Sequence, residues 1–475
     1  MSHLSSQSVL PETVATPQFD RATLLPGILH LGFGAFHRAH QAVFTQRALN
    51  LDPDAWGIIA VNLRRAEPIR DLEAQDGLYT VITRGHDGDS AEVIGVTENW
   101  LCASDDSFAV LGQLADPAIR IVTLTVTEKA YGIDPATGGI DRAHPSIAAD
   151  LANPQQPTGA VGLLVAGLAA RRAADVPPFT VLCCDNLPSN GRVLRRLALE
   201  FAAAHDPELA DWIATEVSFP SSMVDRIVPA ATEATRDRAK ALLGVEDPLA
   251  IETEQFIQWV IEDDFPLGRP AWDKAGVVFV TDVEPYEKMK LRMLNGTHTL
   301  IAHLGILHGL EHVRDVMAVP ELVIQARAHM DAARLTLDPV PGIDLDRYAG
   351  DLMLRFANPA IAHRNIQIAM DTTQKLPQRI FSPALDALNA GQDVTPFARA
   401  TGAWIAAIAQ RQDVDDPRRE ELLAAIRAMS ADDPVASFLA LPGLVPAALA
   451  DSVAWRQAVN EAIAKLVPPT ERTTP

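Results

Sequence analysis

The feature that most constrains the fold is an apolar segment that runs into a glycine turn and then into a helical pattern. Residues 27–49 read GILHLGFGAFHRAHQAVFTQRAL, with Gly32 and Gly34 at the turn. A buried strand, a G-x-G turn and a helix are typical of the first unit of a dinucleotide-binding domain. In such a unit the glycines let the backbone approach a pyrophosphate, which binds N–H groups at the start of the helix. Because the same pattern also occurs as a simple turn, the surrounding segments must show whether this one belongs to a dinucleotide-binding domain.

The surrounding segments support a dinucleotide fold, because further strand patterns alternate with helical ones. Apolar, β-branched runs at 56–63, 119–128 and 178–187 predict buried strands. Residues 160–173 and 190–204 predict helices between or after them. Such alternation predicts an α/β fold built on a largely parallel, doubly wound sheet of the Rossmann type.

A change of pattern near residue 284 predicts a second domain. Before it, YTVITR and AEVIGV, at 79–84 and 91–96, predict a β-hairpin. After it, amphipathic helical patterns cover residues 288–310, 320–335, 345–356, 396–410 and 418–430. We therefore expect a dinucleotide-binding, Rossmann-type domain at 1–284. A mainly α-helical domain at 285–475 would carry catalytic and substrate-binding residues.

Composition argues against several classes of partner. The formal net charge is −21, from 40 basic and 61 acidic residues, which disfavours binding to nucleic acid or to an anionic membrane surface. The first residues lack the basic start and apolar core of a signal peptide. The longest apolar run, residues 160–170, is about half a membrane span. Three cysteines, Cys102, Cys183 and Cys184, do not indicate a disulfide framework. We expect a cytoplasmic enzyme.

The cofactor pattern departs from the usual fingerprint at one position. His37 stands where a third glycine is expected, so the helix and the strand must pack differently there. After the second strand, Arg64 and Arg65 would suit the extra phosphate of NADP, whereas Glu67 would bind the ribose hydroxyls of NAD. We expect NAD, with Glu67 as the ribose ligand and NADP as the alternative.

A polar group in the second domain predicts the chemistry. KMKLRMLNGTHTL, residues 288–300, carries Lys290, Asn295 and His298. On a helix of 3.6 residues per turn these side chains fall within an arc of roughly 140°, with Gly296 elsewhere on the wheel, where close backbone packing would explain it.

These three residue types suit the oxidation of an alcohol. A lysine whose pKa has fallen from about 10.4 to about 7–8, through burial or a nearby cation, can accept the hydroxyl proton. An amide can stabilise the developing alkoxide, and a neutral histidine can orient a hydroxyl. An exposed lysine, a capping asparagine and a buried structural histidine would give the same pattern, so both interpretations stay open.

Two other dehydrogenase patterns do not fit. Tyr286 and Lys290 match Y-x-x-x-K of the short-chain dehydrogenases, but no serine occurs between Ser222 and Ser382 to complete that site. A zinc site is disfavoured because the cysteines do not cluster in a ligand pattern and His298 has no H-x-x-x-H partner. We therefore expect catalysis without a metal.

Taken together, the motifs resemble the long-chain polyol dehydrogenases, which include mannitol 2-dehydrogenase, fructuronate reductase and D-arabinitol 4-dehydrogenase. In family order, the matching segments are HLGFGAFHRAHQAVFT, VTLTVTEKAYG, CDNLPSNG, SFPSSMVDRIVPA, QFIQWVIEDDFPLGRPAW, KLRMLNGTHTL and QIAMDTTQKLPQR. They extend from about residue 28 to about residue 380. The family has histidine at the third glycine position, which accounts for His37. The resemblance implies a Rossmann domain, a helical domain, no metal, and a monomer or weak dimer.

The resemblance also implies roles for individual residues. The family's K-x4-N-x2-H signature falls on Lys290, Asn295 and His298, with Lys290 as general base. Its second oxyanion amide falls on Asn186, in the other domain. The glycine-turn positions expected at the cofactor are Ile28, Gly32, Phe33, Gly34, Ala35 and Phe36. The remaining implied residues are Asp225 and Lys375 at the substrate, and Glu128 and Glu287 as a proton relay to solvent.

Local alternatives exist for several of these roles. Asn186 could serve only the turn after its strand, Asp225 could form an ion pair with Arg226, and Lys375 could be a solvated charge. The sequence does not choose between these interpretations and the functional ones.

Two substrate classes stay open. The leading expectation is a neutral polyol, with mannitol oxidised to fructose; D-arabinitol belongs to the same class. The alternative is a sugar acid, with fructuronate reduced to mannonate, which needs cations for its carboxylate. Arg364, Lys375 and Arg379 are available for that role. A catalytically inactive sugar-binding regulator would have lost the lysine or the amides, and all of them are present.

Overall fold

The computed structural model describes residues 3–85, 88–411, 414–430 and 432–466 of the 475-residue chain. Contacts between residues divide the chain into two compact units, Met1–Glu284 and Pro285–Pro475.

Within the described residues, the strands all belong to the first unit. They are β1 Val14–Ala15, β2 Pro26–Leu31, β3 Gly57–Asn62, β4 Tyr79–Gly85, β5 Gly88–Ile94, β6 Thr97–Cys102, β7 Ile121–Leu124, β8 Thr180–Cys183, β9 Ser222–Asp225, β10 Ile251–Glu254, β11 Gln258–Glu262 and β12 Val278–Val280. The α-helices of this unit are α1 Ala35–Ala39, α2 Gln41–Leu51, α3 Glu67–Ala74, α4 Ser107–Ala115, α5 Pro145–Ala152, α6 Ala160–Ala173, α7 Asn190–Ala203, α8 Pro207–Glu216 and α9 Glu233–Leu243. Short 3₁₀ helices cover Arg21–Thr23 and Glu128–Tyr131.

The remaining helices build the second unit. They are α10 Glu284–Met289, α11 Gly296–Leu307, α12 Val313–Met317, α13 Pro320–Leu335, α14 Leu345–Phe356, α15 Asn365–Ile368, α16 Thr372–Leu376, α17 Ser382–Asn389, α18 Thr395–Arg411, α19 Arg419–Arg427, α20 Ala436–Leu439, α21 Ala447–Ala450 and α22 Val453–Leu466. Two π-helical segments, Lys290–Asn295 and Pro377–Phe381, continue directly into α11 and α17.

A five-stranded sheet forms the centre of the first unit. Its order is β6-β3-β2-β7-β8, and every neighbouring pair is parallel. Leu29 and Leu31 belong to one hydrophobic core and Ile28 to another, as expected when helices or other elements cover both faces of a parallel sheet. The predicted Rossmann-type fold is confirmed. The order of the chain reverses between β2 and β7, which is where such sheets bind ligands.

Smaller sheets complete the first unit. The predicted hairpin is present as the antiparallel pair β4 and β5, within a sheet of order β1-β5-β4-β10. A further sheet has the order β12-β11-β9. The run at 119–128 forms a shorter strand than expected, because Thr125 leaves the ladder after β7 and donates its hydroxyl to the carbonyl of Gly32.

In the second unit, α11 is a buried central helix. Its apolar residues Leu300, Ile301 and Leu304 are buried, and α13 and α18 pack against it. The structure differs from the single helix predicted at 288–310, because a π-helical segment lies between α10 and α11. None of the helices in the described ranges combines the length and the apolarity needed to cross a membrane.

Candidate active site

The glycine turn after β2 is constrained by its backbone. Gly32 has φ +103°, and a Cβ atom there would lie 2.2 Å from the carbonyl oxygen of Thr125. Only glycine fits this position without displacing that backbone. At Gly34 a Cβ atom would meet only the Gly32 carbonyl, at 3.7 Å, so this residue leaves space on the turn's open side. The expected single helix is divided at His40, where α1 ends and α2 begins.

His37 occupies the third glycine position through a stacked histidine pair. Its ring lies 3.4 Å from that of His30, centroid to centroid, and both side chains are fully buried. His30 also contacts the hydroxyls of Thr123 and Thr125, at 2.7 and 2.9 Å. Burial lowers the pKa of His30 to about 3 and places the pKa of His37 well below its usual value. Both imidazoles are therefore neutral and can stack on each other. This stacked pair packs α1 against β2 at the position where the usual fingerprint has a third glycine.

A cavity of about 630 Å³ opens at the carboxyl ends of β2, β3 and β7. This volume lies in the usual range for small-molecule sites, and the position is the switch point of the sheet. The residues that line it are Gly32, Phe33, Gly34, Ala35, Arg38, Asn62, Leu63, Arg64, Arg65, Pro68, Thr125, Val126, Thr127, Lys129, Ala130, His144, Ala230 and Ala231. This cavity beside the glycine turn is therefore the candidate site for a dinucleotide.

The residues expected at the cofactor divide into two groups. Gly32, Phe33, Gly34 and Ala35 line the cavity. The other two turn positions do not, because Ile28 is buried in the hydrophobic core of β2 and Phe36 stacks on His40.

Glu67 also lies outside the cavity lining. It is the exposed first residue of α3, a position where a carboxylate favourably complements the helix dipole. Arg64 and Arg65 line the cavity instead. The sequence places Arg64, Arg65 and Glu67 close together after β3, so it could not show which of them line the cavity. The path of the loop in the structure determines this.

The π-helical segment determines the arrangement of the residues in the second unit. Lys290 and Asn295 are its first and last residues, and the N–H of Gly296 donates to the carbonyl of Leu291, five residues earlier. In a π-helix the bonded partners are five residues apart rather than four. Lys290 and Asn295 are therefore closer to alignment than the arc of roughly 140° expected for an α-helix, and that expectation is corrected.

His298 is a buried, neutral imidazole, with an exposed fraction of 6%. Its pKa lies well below its usual value, mainly because of burial and then because of neighbouring His363 and the cations Arg379, Arg355 and Lys375. Its ring lies 5.0 Å from that of His363, edge to face. A neutral imidazole can orient a hydroxyl without competing as a strong base.

Polar atoms without a partner mark the surroundings of Lys290. Lys290 itself is 7% exposed. The Oδ1 atom of Asn295, the Nε2 atom of His298 and the Nδ1 atom of His363 are buried and have no hydrogen-bond partner among the residues described. Buried polar atoms are rarely left unpaired in proteins, so their occurrence on one short segment and its neighbour favours a binding site for a polar molecule.

Glu287 is placed suitably for the expected proton relay. It lies three residues before Lys290 and is similarly buried, at 7% exposure; side chains at this spacing face the same side of a helix. In the first unit, Glu128 is the exposed first residue of a 3₁₀ helix. Its proposed role as a relay stays a prediction.

Asn186 and Asp225 both follow strands of the first unit. Asn186 is exposed, three residues after β8, and Asp225 is the buried last residue of β9. Arg226 donates hydrogen bonds to the backbone carbonyls of Glu254 and Ala39. Its guanidinium is thus engaged with backbone rather than reserved for Asp225.

The expected cations of the second unit have different surroundings. Lys375 is half-buried and donates to the carbonyls of Ile368 and Met370. Arg364 is exposed and forms an ion pair with Glu311, 3.4 Å long. Sequence reasoning did not select Arg355 or His363, because neither lies in a spaced motif and only folding places these two side chains near His298.

We expect that replacing Gly296 by alanine will impair both folding and turnover. A Cβ atom at Gly296 would lie 2.7 Å from the carbonyl oxygen of Arg379, which supports the expectation of close backbone packing. Glycine to alanine in a helix normally gains about 1 kcal/mol, but overpacking costs about 1–3 kcal/mol. Urea unfolding should therefore show a lower midpoint, and turnover should fall because the π-helical segment shifts.

Gly350 provides the matched control for this substitution. It lies inside α14, and a Cβ atom added there would meet no other atom within 4 Å. Gly350→Ala should keep turnover and raise stability by up to about 1 kcal/mol. Equal behaviour of the two variants would contradict the packing argument.

Comparison with known proteins identifies the family. The Rossmann domain of mannitol dehydrogenase matches residues 26–274, and the C-terminal domain of mannitol dehydrogenase matches residues 282–467. The chain belongs to the mannitol dehydrogenase family. As a member of this family it is an oxidoreductase, and the resemblance inferred from the motifs is confirmed.

Individual mannitol dehydrogenase family members match along most of the chain. The uncharacterized oxidoreductase YeiQ of Escherichia coli K12 is 43% identical over 473 residues, covering 96% of each chain. The D-mannonate oxidoreductase of the same organism is 45% identical over 397 residues, covering 82% of each. The structure of Pseudomonas fluorescens mannitol 2-dehydrogenase, a ternary complex with NAD and D-mannitol, is 38% identical. It has a TM-score of 0.88 and covers 98% of this chain and 96% of that one.

Proposed function

We propose that this protein is an NAD-dependent oxidoreductase that interconverts a secondary alcohol of an open-chain polyol or sugar acid and the corresponding ketone. The observation that carries the proposal is the group of buried Lys290, partly buried Asn295 and buried His298 on and beside a π-helical segment. The buried Oδ1 atom of Asn295 and the buried Nε2 atom of His298 have no hydrogen-bond partner among the described residues. Such segments are frequent at functional sites.

In this reaction the alcohol loses a proton from oxygen and a hydride from carbon. Lys290 takes the proton and passes it to Glu287 and then to solvent. The amide of Asn295 donates to the developing alkoxide, and neutral His298 orients a hydroxyl. The resemblance adds Asn186 as a second amide and Asp225 and Lys375 as substrate ligands.

The cofactor site proposed is the cavity beside the glycine turn. Gly32, with its positive φ, and Gly34, with open space at its Cα, allow close approach of a pyrophosphate to the backbone. A dinucleotide held there would supply a nicotinamide ring as the acceptor for the hydride. The structure of Pseudomonas fluorescens mannitol 2-dehydrogenase is a complex with NAD, which supports NAD as the cofactor of the present protein.

No metal is proposed for the reaction. Over the ranges that the structure describes, no group of three or more His, Cys, Asp or Glu side chains is arranged to hold a metal ion. Proton transfer to a lysine and amide stabilisation of the alkoxide supply the functions that a Lewis acid would otherwise have.

D-Mannitol and D-fructose are the first substrate pair proposed, in keeping with the Pseudomonas fluorescens relative. D-Mannonate is a second candidate, because three cations lie near His298. Arg379, Arg355 and Lys375 each lower the pKa of that imidazole, and together they could balance a carboxylate. A relative named D-mannonate oxidoreductase is 45% identical to this chain.

Steady-state kinetics with mannitol, fructose, mannonate, sorbitol and arabinitol would separate these candidates. If the sugar acid is the substrate, Arg379→Gln should raise KM for mannonate at least ~10-fold, since a charge-assisted hydrogen bond contributes about 1.5–3 kcal/mol. The exposed Arg347 on α14 gives the control Arg347→Gln. Turnover of mannitol alone, insensitive to Arg379→Gln, would establish the neutral polyol. Turnover of no compound in the panel would refute both.

A further inference from the structure

One residue in the wall of the cavity beside the glycine turn has a strained backbone. Thr127 has φ +74° and ψ 148°, and it lines the cavity of about 630 Å³. These angles lie close to a region that is essentially restricted to glycine, and a β-branched residue there is an outlier. Such a conformation persists only where surrounding contacts hold it. The residue that holds Thr127 in place therefore contributes to the shape of the cavity.

The side chain of Asp185 supplies these contacts. Asp185 lies two residues after β8, the strand that pairs in parallel with β7. Its Oδ2 atom accepts a hydrogen bond from the backbone N–H of Val126, at 2.8 Å, and its Oδ1 atom accepts one from the N–H of Thr127, at 3.3 Å. Val126 also lines the cavity. One carboxylate thus binds two successive N–H groups of the cavity wall.

Asp185 is itself fixed by buried partners. The fully buried Tyr131 donates its hydroxyl to the Oδ2 atom of Asp185, at 2.7 Å. The side-chain amide of Asn190, also buried, donates to the backbone carbonyls of Asp185 and Ser222, at 3.0 and 2.8 Å. The N–H of Ser222 donates in return to the Oδ1 atom of Asn190, at 2.9 Å. Both the main chain and the side chain of Asp185 are therefore held in place, as an anchor for the neighbouring loop requires.

We propose that Asp185 is a positioning residue for the dinucleotide, because its carboxylate holds Val126 and Thr127 in the conformation that shapes the cavity. The inference rests on the dinucleotide role proposed for this cavity. Asp185 is not part of the cavity lining, so it acts through the backbone of its two partners. The alternative is a purely structural role, in which the carboxylate stabilises the fold without affecting the site.

Asp185→Asn tests the anchor with little change of shape. The NH2 group of asparagine cannot accept a hydrogen bond, so one of the two backbone N–H groups loses its partner. We expect the dissociation constant of NADH, followed by protein fluorescence on the full chain, to rise at least ~5-fold, because a charge-assisted hydrogen bond is lost.

Kinetics with mannitol or mannonate separate the two roles of Asp185. If the carboxylate positions the dinucleotide, Asp185→Asn should raise KM for NAD, while turnover at saturating NAD stays within about threefold of the wild type. A purely structural role would instead lower turnover through loss of folded protein and leave KM for NAD unchanged.

Asp150 gives the matched control in the same unit. Its buried carboxylate also accepts hydrogen bonds from two successive backbone N–H groups, those of Thr158 and Gly159, at 3.0 and 2.9 Å. None of these three residues lines the cavity. Asp150→Asn should lower the midpoint of thermal unfolding and leave the dissociation constant of NADH within about twofold of the wild type, since the sites are independent.

Glycine at position 127 tests the role of backbone strain. Glycine adopts positive φ angles without the steric cost of a Cβ atom, so the conformation depends less on the anchor. Whatever Thr127→Gly does by itself, adding Asp185→Asn in that background should raise the dissociation constant of NADH by no more than about twofold. An undiminished effect of Asp185→Asn would show that the carboxylate does not act through Thr127, and would overturn the proposal.

Tyr131→Phe provides a second test should Asp185→Asn fail to fold. It removes one hydroxyl donor from the carboxylate and should raise the dissociation constant of NADH about threefold, as expected for the loss of one hydrogen bond that fixes the anchor. Wild-type protein that binds NADH equally well after both substitutions would overturn the anchor and leave the dinucleotide site intact. Equal weakening by Asp185→Asn and Asp150→Asn would also overturn it, because that result points to general loss of the fold. Failure of the wild type to bind NADH would refute the dinucleotide role of the cavity itself.

Discussion

Lys290→Ala is expected to lower turnover by at least ~10²-fold in both reaction directions, the lower end of the loss for a general acid–base. Lys290 is the basic side chain among the three signature residues, since burial and neighbouring charges place the pKa of His298 well below its usual value. The dissociation constant of the dinucleotide should barely change, because the cavity beside the glycine turn lies entirely in residues of the first unit.

Lys288→Ala is the matched control for this loss. Lys288 lies two residues earlier on α10 and its side chain is exposed, so removing it should leave turnover close to that of the wild type. Stopped-flow measurement of hydride transfer would show whether the chemical step itself is slowed. Near-normal turnover of Lys290→Ala would remove this residue from the role of general base.

Asn295→Ala is expected to lower turnover by about 10²–10³-fold, the typical effect of removing one oxyanion donor, or about 3–4 kcal/mol. The carboxamide of Asn295 ends the π-helical segment, and its Oδ1 atom has no partner within the described ranges. Its backbone carbonyl is held by the hydroxyl of Thr299, at 2.9 Å. The main chain that carries the donor is therefore held in place before substrate binds.

Steady-state kinetics separate a role in the transition state from one in binding. A loss in turnover with little change in KM supports stabilisation of the alkoxide, whereas a change confined to KM would show that the amide binds the ground state. The exposed Asn389, the last residue of α17, gives the control Asn389→Ala.

Asn186→Ala tests the second amide that the resemblance implies. If Asn186 and Asn295 donate to the same oxygen, each single variant should show a similar loss. The double variant should then lose less than the product of the two single effects. Strictly multiplicative losses would instead assign the two amides to separate roles.

Much of the first unit could be predicted because its signals are local. The apolar runs at 56–63 and 178–187 contain the buried strands β3 and β8, and the helix at 160–173 has the bounds that the pattern predicted. Alternation of strand and helix then restricts the topology strongly. Gly32 was identifiable from the turn motif, and its φ of +103° gives the reason for the glycine.

The limits of strands and helices were less predictable where tertiary contacts override the pattern. Thr125 continues the β-branched run after β7, but its hydroxyl bonds to the Gly32 carbonyl and the strand ends at Leu124. His40 lies in a helical pattern, yet its ring nitrogen Nε2 contacts the carbonyl of Gln258 and the helix is interrupted there. Such contacts join residues far apart in sequence and leave no periodic signal.

The amino-acid sequence by itself determined which residues are the candidates for catalysis: Lys290, Asn295 and His298 stand out through residue type and spacing. Only the tertiary structure decided how they are arranged. A π-helical turn begins at Lys290, and Gly296 lies against the carbonyl of Arg379 from a second π-helical segment. A π-helical turn has one more residue than an α-helical turn, which changes neither the helix propensity nor the hydrophobic period appreciably. A helical wheel therefore could not reveal the π-helical turn. The packing of two segments about eighty residues apart in the chain determines where this turn forms.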